Sequence, residues 1–302
     1  MSTASANAPA HAGSRDARPA AVIHVDLDGA RHIYRAHGWQ YPAIDDALFR
    51  SGIRRLFDLL EKWRIRATLF VIAEDLRDDA KRSLILEARD RGHELASHSS
   101  THRHLTDLAG PDRVREVVDS KREIEAAAGA EVLGFRAPGY VLDETTLSLV
   151  AEAGYRYDSS MFIGTRRPAG GSCARTAAPY RPFPDRALVE MPLPGYAGLP
   201  LPFHPSYTLL LGLQYFRLGL QRFLSRHDAT FVLLLHLTDL SDPLGGASLS
   251  GLGSRLYTLS VMSSDTKLRR LERILEEVSR RCVVTNTSSV LASISARDEA
   301  GS

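Results

Sequence analysis

The stretch Ala21-Val22-Ile23-His24-Val25-Asp26-Leu27-Asp28-Gly29 (AVIHVDLDG) is an apolar run of strand length closed by two acids. Side chains alternate faces along a strand, so Asp26 and Asp28 point the same way. Two carboxylates at the C-terminal end of a first parallel strand repel each other unless something positive sits between them, and a metal ion is the usual remedy. For this motif alone, the plainer alternative that both acids cap the following loop has equal standing.

Further apolar runs of strand length follow, each separated from the next by a helical pattern. Ile44 to Trp63 has Leu48, Ile53, Leu56, Leu59 and Leu60 at helical spacing, and Ala67 to Ala73 (ATLFVIA) is the next strand. Lys81 to Arg91 reads as a helix ended by Gly92, and His93 to Ala96 as a strand. Pro111 to Ala128 is a helix with Pro at its first position. Val132 to Phe135 is a strand and Asp143 to Ala153 a helix. Ser206 to Leu224 reads as one helix, apolar around most of its circumference, before the strand Thr230 to Leu235. Asp265 to Arg281 is a charged amphipathic helix, and Cys282 to Thr285 a last strand. Thr165 to Pro205 lacks periodicity, and Asp242 to Leu259 is a Gly/Ser/Leu-rich loop. Strand–helix alternation of this kind predicts a parallel sheet or barrel.

Composition narrows the function. The chain has 302 residues, enough for one large α/β domain, with 44% hydrophobic and 25% charged residues. A net charge of +2 is too small to argue for nucleic acid. Two cysteines, Cys173 and Cys282, make a disulfide framework a poor fit and favour a reducing compartment. Met1 to Ala20 lacks the apolar core of a secretory signal and reads as a disordered tail. No run of eighteen apolar residues is present, so no membrane-spanning helix is expected. The expected organisation is a tail over 1–20, one domain over 21–295 and a flexible tail over 296–302, in a cytoplasmic protein.

Three more segments carry chemistry. His98-Ser99-Ser100-Thr101-His102 follows the strand at His93 to Ala96, and two histidines four apart can meet one metal. With one Asp they make three protein ligands and leave positions open for water, the pattern of a catalytic site. Mixed O and N donors suit zinc first, and also cobalt, nickel or iron. His93 and His104 flank this cluster as bystanders. Gly134-Phe135-Arg136-Ala137-Pro138-Gly139-Tyr140 also follows a strand, and Arg136 there can pair with a carboxylate. His236 leaves the strand Phe231 to Leu235 at its C-terminal end, where it can serve as a general acid. A surface Arg and a structural His are the better readings of these two in isolation. Four motifs, each just after a predicted parallel strand, converge on the end where such folds hold their active sites.

Together these segments resemble the polysaccharide deacetylase family (NodB homology, carbohydrate esterase 4-like). The resemblance spans Ala21 to Leu291. It is carried by VDLDG (Val25–Gly29), RATLFV (Arg66–Val71), GHELASHSSTHRHL (Gly92–Leu105), GFRAPGY (Gly134–Tyr140), GYRYDSSMF (Gly154–Phe162) and LLLHLTD (Leu233–Asp239). It implies a distorted (β/α) barrel with fewer than eight strands and metal-dependent removal of acetyl, or sometimes formyl, from an amino sugar. Residue by residue, it implies Asp28, His98 and His102 as metal ligands, Asp26 as general base, Arg136 as the arginine holding that base and His236 as general acid. The backbone N–H of Tyr140 is the oxyanion candidate, and Asp239 a candidate for tuning His236.

The chain departs from the family pattern in places. The base commonly stands immediately before the metal Asp, where this chain has Leu27; some branches carry the Asp-x-Asp arrangement seen here. The usual RxPY becomes RAPGY, with Gly139 at the Tyr position. The only tryptophans are Trp39 and Trp63, and Val189 to Pro192 (VEMP) replaces a Trp-bearing motif. The expected substrate is an amino sugar in a small molecule, a lipid-linked sugar or a glycan; the Ser206 to Leu224 helix reads first as a core helix, and in the alternative as a surface for peripheral membrane contact with a lipid carrier. An allantoinase-like amidohydrolase and a catalytically inactive carbohydrate-binding relative are the alternatives.

Overall fold

The computed structural model describes residues 18–39, 46–163, 174, 176–195, 203–225, 229–243 and 262–300. Most of the expected N-terminal tail, the centre of the Thr165 to Pro205 excursion and nearly all of the Asp242 to Leu259 loop lie outside the described residues.

Seven parallel strands run in the order β6-β5-β4-β3-β2-β1-β7. They are β1 (Ala20–Asp26), β2 (Thr68–Val71), β3 (Glu94–Ser97), β4 (Gly134–Phe135), β5 (Tyr157–Asp158), β6 (Val189–Glu190) and β7 (Phe231–His236). A two-residue β8 (Val283–Val284) pairs with the start of β1, outside that path. This is the expected distorted (β/α) barrel with fewer than eight strands around it. The β1–β7 register sets Asp26 opposite His236, so two motifs 210 positions apart in sequence become neighbours at one strand end.

Alternation along β1 divides the core in two. Ala21, Ile23, Val25 and Leu27 pack outward against the helices, while Val22 packs inward with Phe70, Ala96, Val232 and Leu234. The outer layer is α1 (Ala30–Ala36), α2 (Ala47–Lys62), α3 (Asp79–Asp90), α4 (Gly110–Val114), α5 (Ser120–Ala128), α6 (Glu144–Glu152), α7 (Pro205–Leu211), α8 (Leu213–Leu224) and α9 (Ser264–Arg281). Local signals account for several ends. Asp46, Asp78 and Asp143 accept from first-turn amides of α2, α3 and α6, and Gly129 closes α5 in the left-handed conformation.

Three elements differ from expectation. The helix over Pro111 to Ala128 is interrupted by a π turn at Arg115–Asp119. The helix over Ser206 to Leu224 is two helices, because Gly212 (φ 89°, ψ 168°) takes a conformation closed to other residues and redirects the chain. The C-terminal residues form α10 (Thr287–Ala300), which runs into the expected flexible tail. Val290 and Ile294 of α10 join the inner cluster and close the barrel floor.

Candidate active site

The C-terminal ends of β1, β3, β4 and β7 bring together all the residues singled out in the sequence. Asp28, His98 and His102 each offer one ligand atom within 4.8 Å of the others. Nε2 of His98 lies 3.5 Å, and Nε2 of His102 3.4 Å, from Oδ1 of Asp28. The Nδ1–H of His98 donates to the carbonyl of Arg136 at 2.8 Å, which turns Nε2 toward the cluster.

The donors fit a cation. Oδ1 of Asp28 is buried without a hydrogen-bond partner, and burial pushes that carboxyl's pKa up. Burial also lowers the pKa of both histidines, that of His102 to about 3, so they are neutral at ordinary pH and able to ligate.

The loop bearing the histidines is bent at two left-handed residues, Ser99 (φ 68°) and His102 (φ 58°). Such backbone persists only where its surroundings over-determine it. Here Glu116, buried on the π turn, accepts from the amides of Ser100 at 3.0 Å and Thr101 at 2.8 Å. The Ser99 hydroxyl oxygen accepts the His102 amide at 3.1 Å. The helix interruption therefore serves the site.

Arg136 is fully buried behind Asp26. Its Nη1 donates to Oδ1 of Asp26 at 2.6 Å, its Nε to the Ser159 carbonyl at 2.7 Å, and its Nη2 to the Ser159 hydroxyl and to Nδ1 of His24, both at 2.9 Å. The guanidinium also lies over the Phe70 ring, 3.9 Å from its centre. Burial would raise the pKa of Asp26, but the charge and hydrogen bond of Arg136, with the charge of His236, outweigh it and hold the carboxyl well below the usual range. His24 lies on the same face of β1, and its Nε2 is 3.1 Å from the Thr287 hydroxyl on α10. A polar column thus runs from the barrel floor to Asp26.

His236 faces Asp26 from β7, with Nε2 3.7 Å from Oδ2 of Asp26. Burial alone would lower its pKa; the carboxylates of Asp239, Asp26 and Asp28 prevail and raise it to about 9. Asp239 acts on the ring through charge, since its Oδ2 is 3.8 Å from Nδ1, and it accepts the His236 amide at 2.9 Å. The Ser206 hydroxyl at the start of α7 holds the other oxygen of Asp239 at 2.6 Å.

Tyr140 requires a correction. Its amide donates to the Ala137 carbonyl at 2.9 Å, so the backbone N–H expected to face an oxyanion is already engaged in a turn. Gly139 (φ 63°) and Tyr140 (φ 60°) are both left-handed, and a Cβ at Gly139 would come within 2.9 Å of the His104 ring. This turn brings the phenol into the site, where it donates to Oδ2 of Asp26 at 2.8 Å and lies 2.6 Å from Nε2 of His236.

Sequence reasoning missed this hydroxyl, His24, Ser159 and Glu116. Strand parity could have flagged His24, which shares a face with Asp26 and Asp28. No local signal marks the other three. Glu190, in the VEMP segment, lies beside Asp158 in register; its carboxyl is buried, which pushes its pKa well up. His93 lies at the start of β3, away from the cluster, as expected of a bystander.

A parallel barrel with this cluster at its strand ends is of the NodB type. Residues 40–157 match the model described as Polysaccharide deacetylase. The matched segment includes His98, His102, Arg136 and Tyr140, while Asp26, Asp28 and His236 lie outside it. The chain is 34% identical over 115 residues to a chitooligosaccharide deacetylase from Sinorhizobium fredii, a match covering 38% of this chain and 53% of that protein. The matches span about half or less of the curated relatives. Two solved structures share the fold nearly end to end. A putative polysaccharide deacetylase from Mycobacterium smegmatis has a TM-score of 0.66 at 19% identity, covering 94% of this chain and 92% of that one. Puue allantoinase has a TM-score of 0.61 at 17% identity, covering 93% and 94%.

Proposed function

We propose that this chain hydrolyses an N-acyl group, acetyl foremost, from an amino sugar in a glycan precursor, a lipid-linked sugar or a glycosylated metabolite. The observation that carries the reading is the pairing of Asp26 with His236 across β1 and β7, beside the donor cluster of Asp28, His98 and His102. A divalent transition ion, zinc foremost and cobalt, nickel or iron by the same donors, would be held by those three residues, polarising the amide carbonyl and lowering the pKa of water.

The protein groups divide the remaining work. Asp26 accepts the proton of the attacking water through Oδ2, while Arg136 holds Oδ1 and fixes the rotamer. His236, kept protonated by the surrounding carboxylates, donates to the leaving amine, which is too basic to depart as an anion. The Tyr140 hydroxyl lies between the two and steers both.

The test is a release assay for acetate and formate with the metal-loaded protein against free, nucleotide-linked and lipid-linked N-acyl amino sugars. Release from at least one of them, abolished by chelation, is the expected result. Absence of release from all three classes, with hydrolysis of a cyclic amide such as allantoin, would overturn the reading in favour of the allantoinase-like alternative.

A further inference from the structure

The α7–α8 pair carries three of the four large apolar side chains exposed among the described residues: Tyr207 (41%), Leu211 (58%) and Leu218 (49%). Tyr207 and Leu211 are four residues apart and so share one face of α7. Leu211 also edges a groove of about 420 Å³ whose opposite wall is Arg269, Arg270 and Arg273 of α9.

These three arginines have no carboxylate partner among the described ion pairs. Arg270 donates to the Leu209 carbonyl and Arg269 to the Thr266 hydroxyl at 3.0 Å, contacts that hold the heads without neutralising them. Of the nearby acids, Glu272 pairs with Lys62 and Glu277 with Arg217. That leaves Asp265, one turn before Arg269, and Glu276, in the adjoining hollow, against three positive charges.

We infer that the face formed by Tyr207 and Leu211 with Arg269, Arg270 and Arg273 docks on an anionic phospholipid bilayer. Arginines that reach phosphates while neighbouring apolar groups enter the acyl boundary are the chemistry of an interfacial surface. A free phosphate would account for the arginines but leave the exposed apolar side chains unexplained. A protein partner calls for a packed apolar centre inside a polar rim. Here the apolar groups stand out singly beside the arginines, which suits a fluid headgroup layer.

The placement also has a consequence for catalysis. The His204 ring, at the start of α7, lies 4.8 Å from the Tyr207 ring and 5.7 Å from the His236 ring. The docking face therefore reaches the catalytic end of the barrel along one helix about 10 Å long. The docking itself does not depend on the proposed reaction.

The test is flotation of the full chain with vesicles of phosphatidylcholine alone and of phosphatidylcholine mixed with phosphatidylglycerol. Binding is expected to the mixed vesicles, to weaken with salt, and to be slight on neutral ones. Each arginine is worth about fivefold in partitioning, so Arg269→Ala with Arg273→Ala should weaken binding about 25-fold. Tyr207→Ser with Leu211→Ser should also reduce it, and both double variants should keep the thermal midpoint of the parent. The inference is overturned by absence of binding to mixed vesicles, or by binding that survives both double variants. Loss of vesicle binding in millimolar inorganic phosphate at constant ionic strength would overturn it in favour of a small-anion site. Capture by polyglutamate without vesicle binding would overturn it in favour of an acidic protein partner.

Discussion

The Tyr140 hydroxyl lies 2.8 Å from Oδ2 of Asp26, the oxygen left over once Arg136 has taken Oδ1 at 2.6 Å. The same phenol is 2.6 Å from Nε2 of His236. One side chain, held by a turn of two left-handed residues, thus touches both groups to which proton transfer is assigned here.

Tyr140→Phe removes that hydroxyl and keeps the ring against Phe162, whose centre is 5.2 Å away. Its kcat should fall about 10²-fold, in the range of a positioned proton-transfer group, with metal content and KM little changed. Steady-state kinetics beside metal analysis checks this. Full activity in Tyr140→Phe would show that the hydroxyl is a bystander.

Metal content tests the donor cluster directly. The purified protein should hold about one divalent transition ion per chain. His98→Ala and His102→Ala should each lose most of it while their circular dichroism stays that of the parent. Elemental analysis of the dialysed proteins is the measurement, and full occupancy in the double variant would contradict the assignment.

Asp26→Asn separates the two aspartates. An amide cannot accept the water's proton, so this variant should keep metal and lose activity by several orders of magnitude. Asp28→Asn should lose metal as well. If Asp26→Asn stays active while Asp28→Asn keeps its metal, the two roles are reversed.

The buried Arg136–Asp26 pair should also matter to stability. Arg136→Met removes the main partner of the buried Asp26 carboxylate, and breaking a buried pair from one side costs about 3–5 kcal/mol. Urea unfolding of the metal-free protein measures the loss independently of catalysis. A change below 1 kcal/mol would mean that the Asp26 charge is compensated without Arg136.

His93 makes a pH prediction. Burial, with help from Arg66 and Arg91, lowers its pKa to about 4, and its Nδ1 accepts the Ala67 amide at 3.3 Å, which the neutral ring alone can do. Unfolded, the ring titrates near about 6.5. Between these values the unfolded chain binds the proton and the folded one excludes it. The contribution is therefore complete above pH about 6.5 and is lost as pH falls toward 4. Unfolding free energies at several pH values should show a shallower decline in His93→Gln than in the parent. Identical slopes would place the His93 pKa near its ordinary value.

Much of this site is legible in the sequence because its chemistry is local. Asp26 and Asp28 share a face by strand parity, His98 and His102 share one loop, and each motif follows an apolar run that can only be a buried strand. The same alternation of strand and helix already specifies a parallel sheet or barrel. Spacing along the chain, however, says nothing of what lies across the barrel. That Asp26 faces His236 follows from the β1–β7 register, which depends on the packing of two strands far apart in sequence. The phenol of Tyr140 enters the site through two positive φ angles that RAPGY does not announce, and Glu116 reaches the histidine loop through a π turn. Gly212 breaks what reads as one continuous helix. In each case, hydrophobic periodicity specifies which face of an element is buried, whereas backbone turns and strand register decide what that face meets.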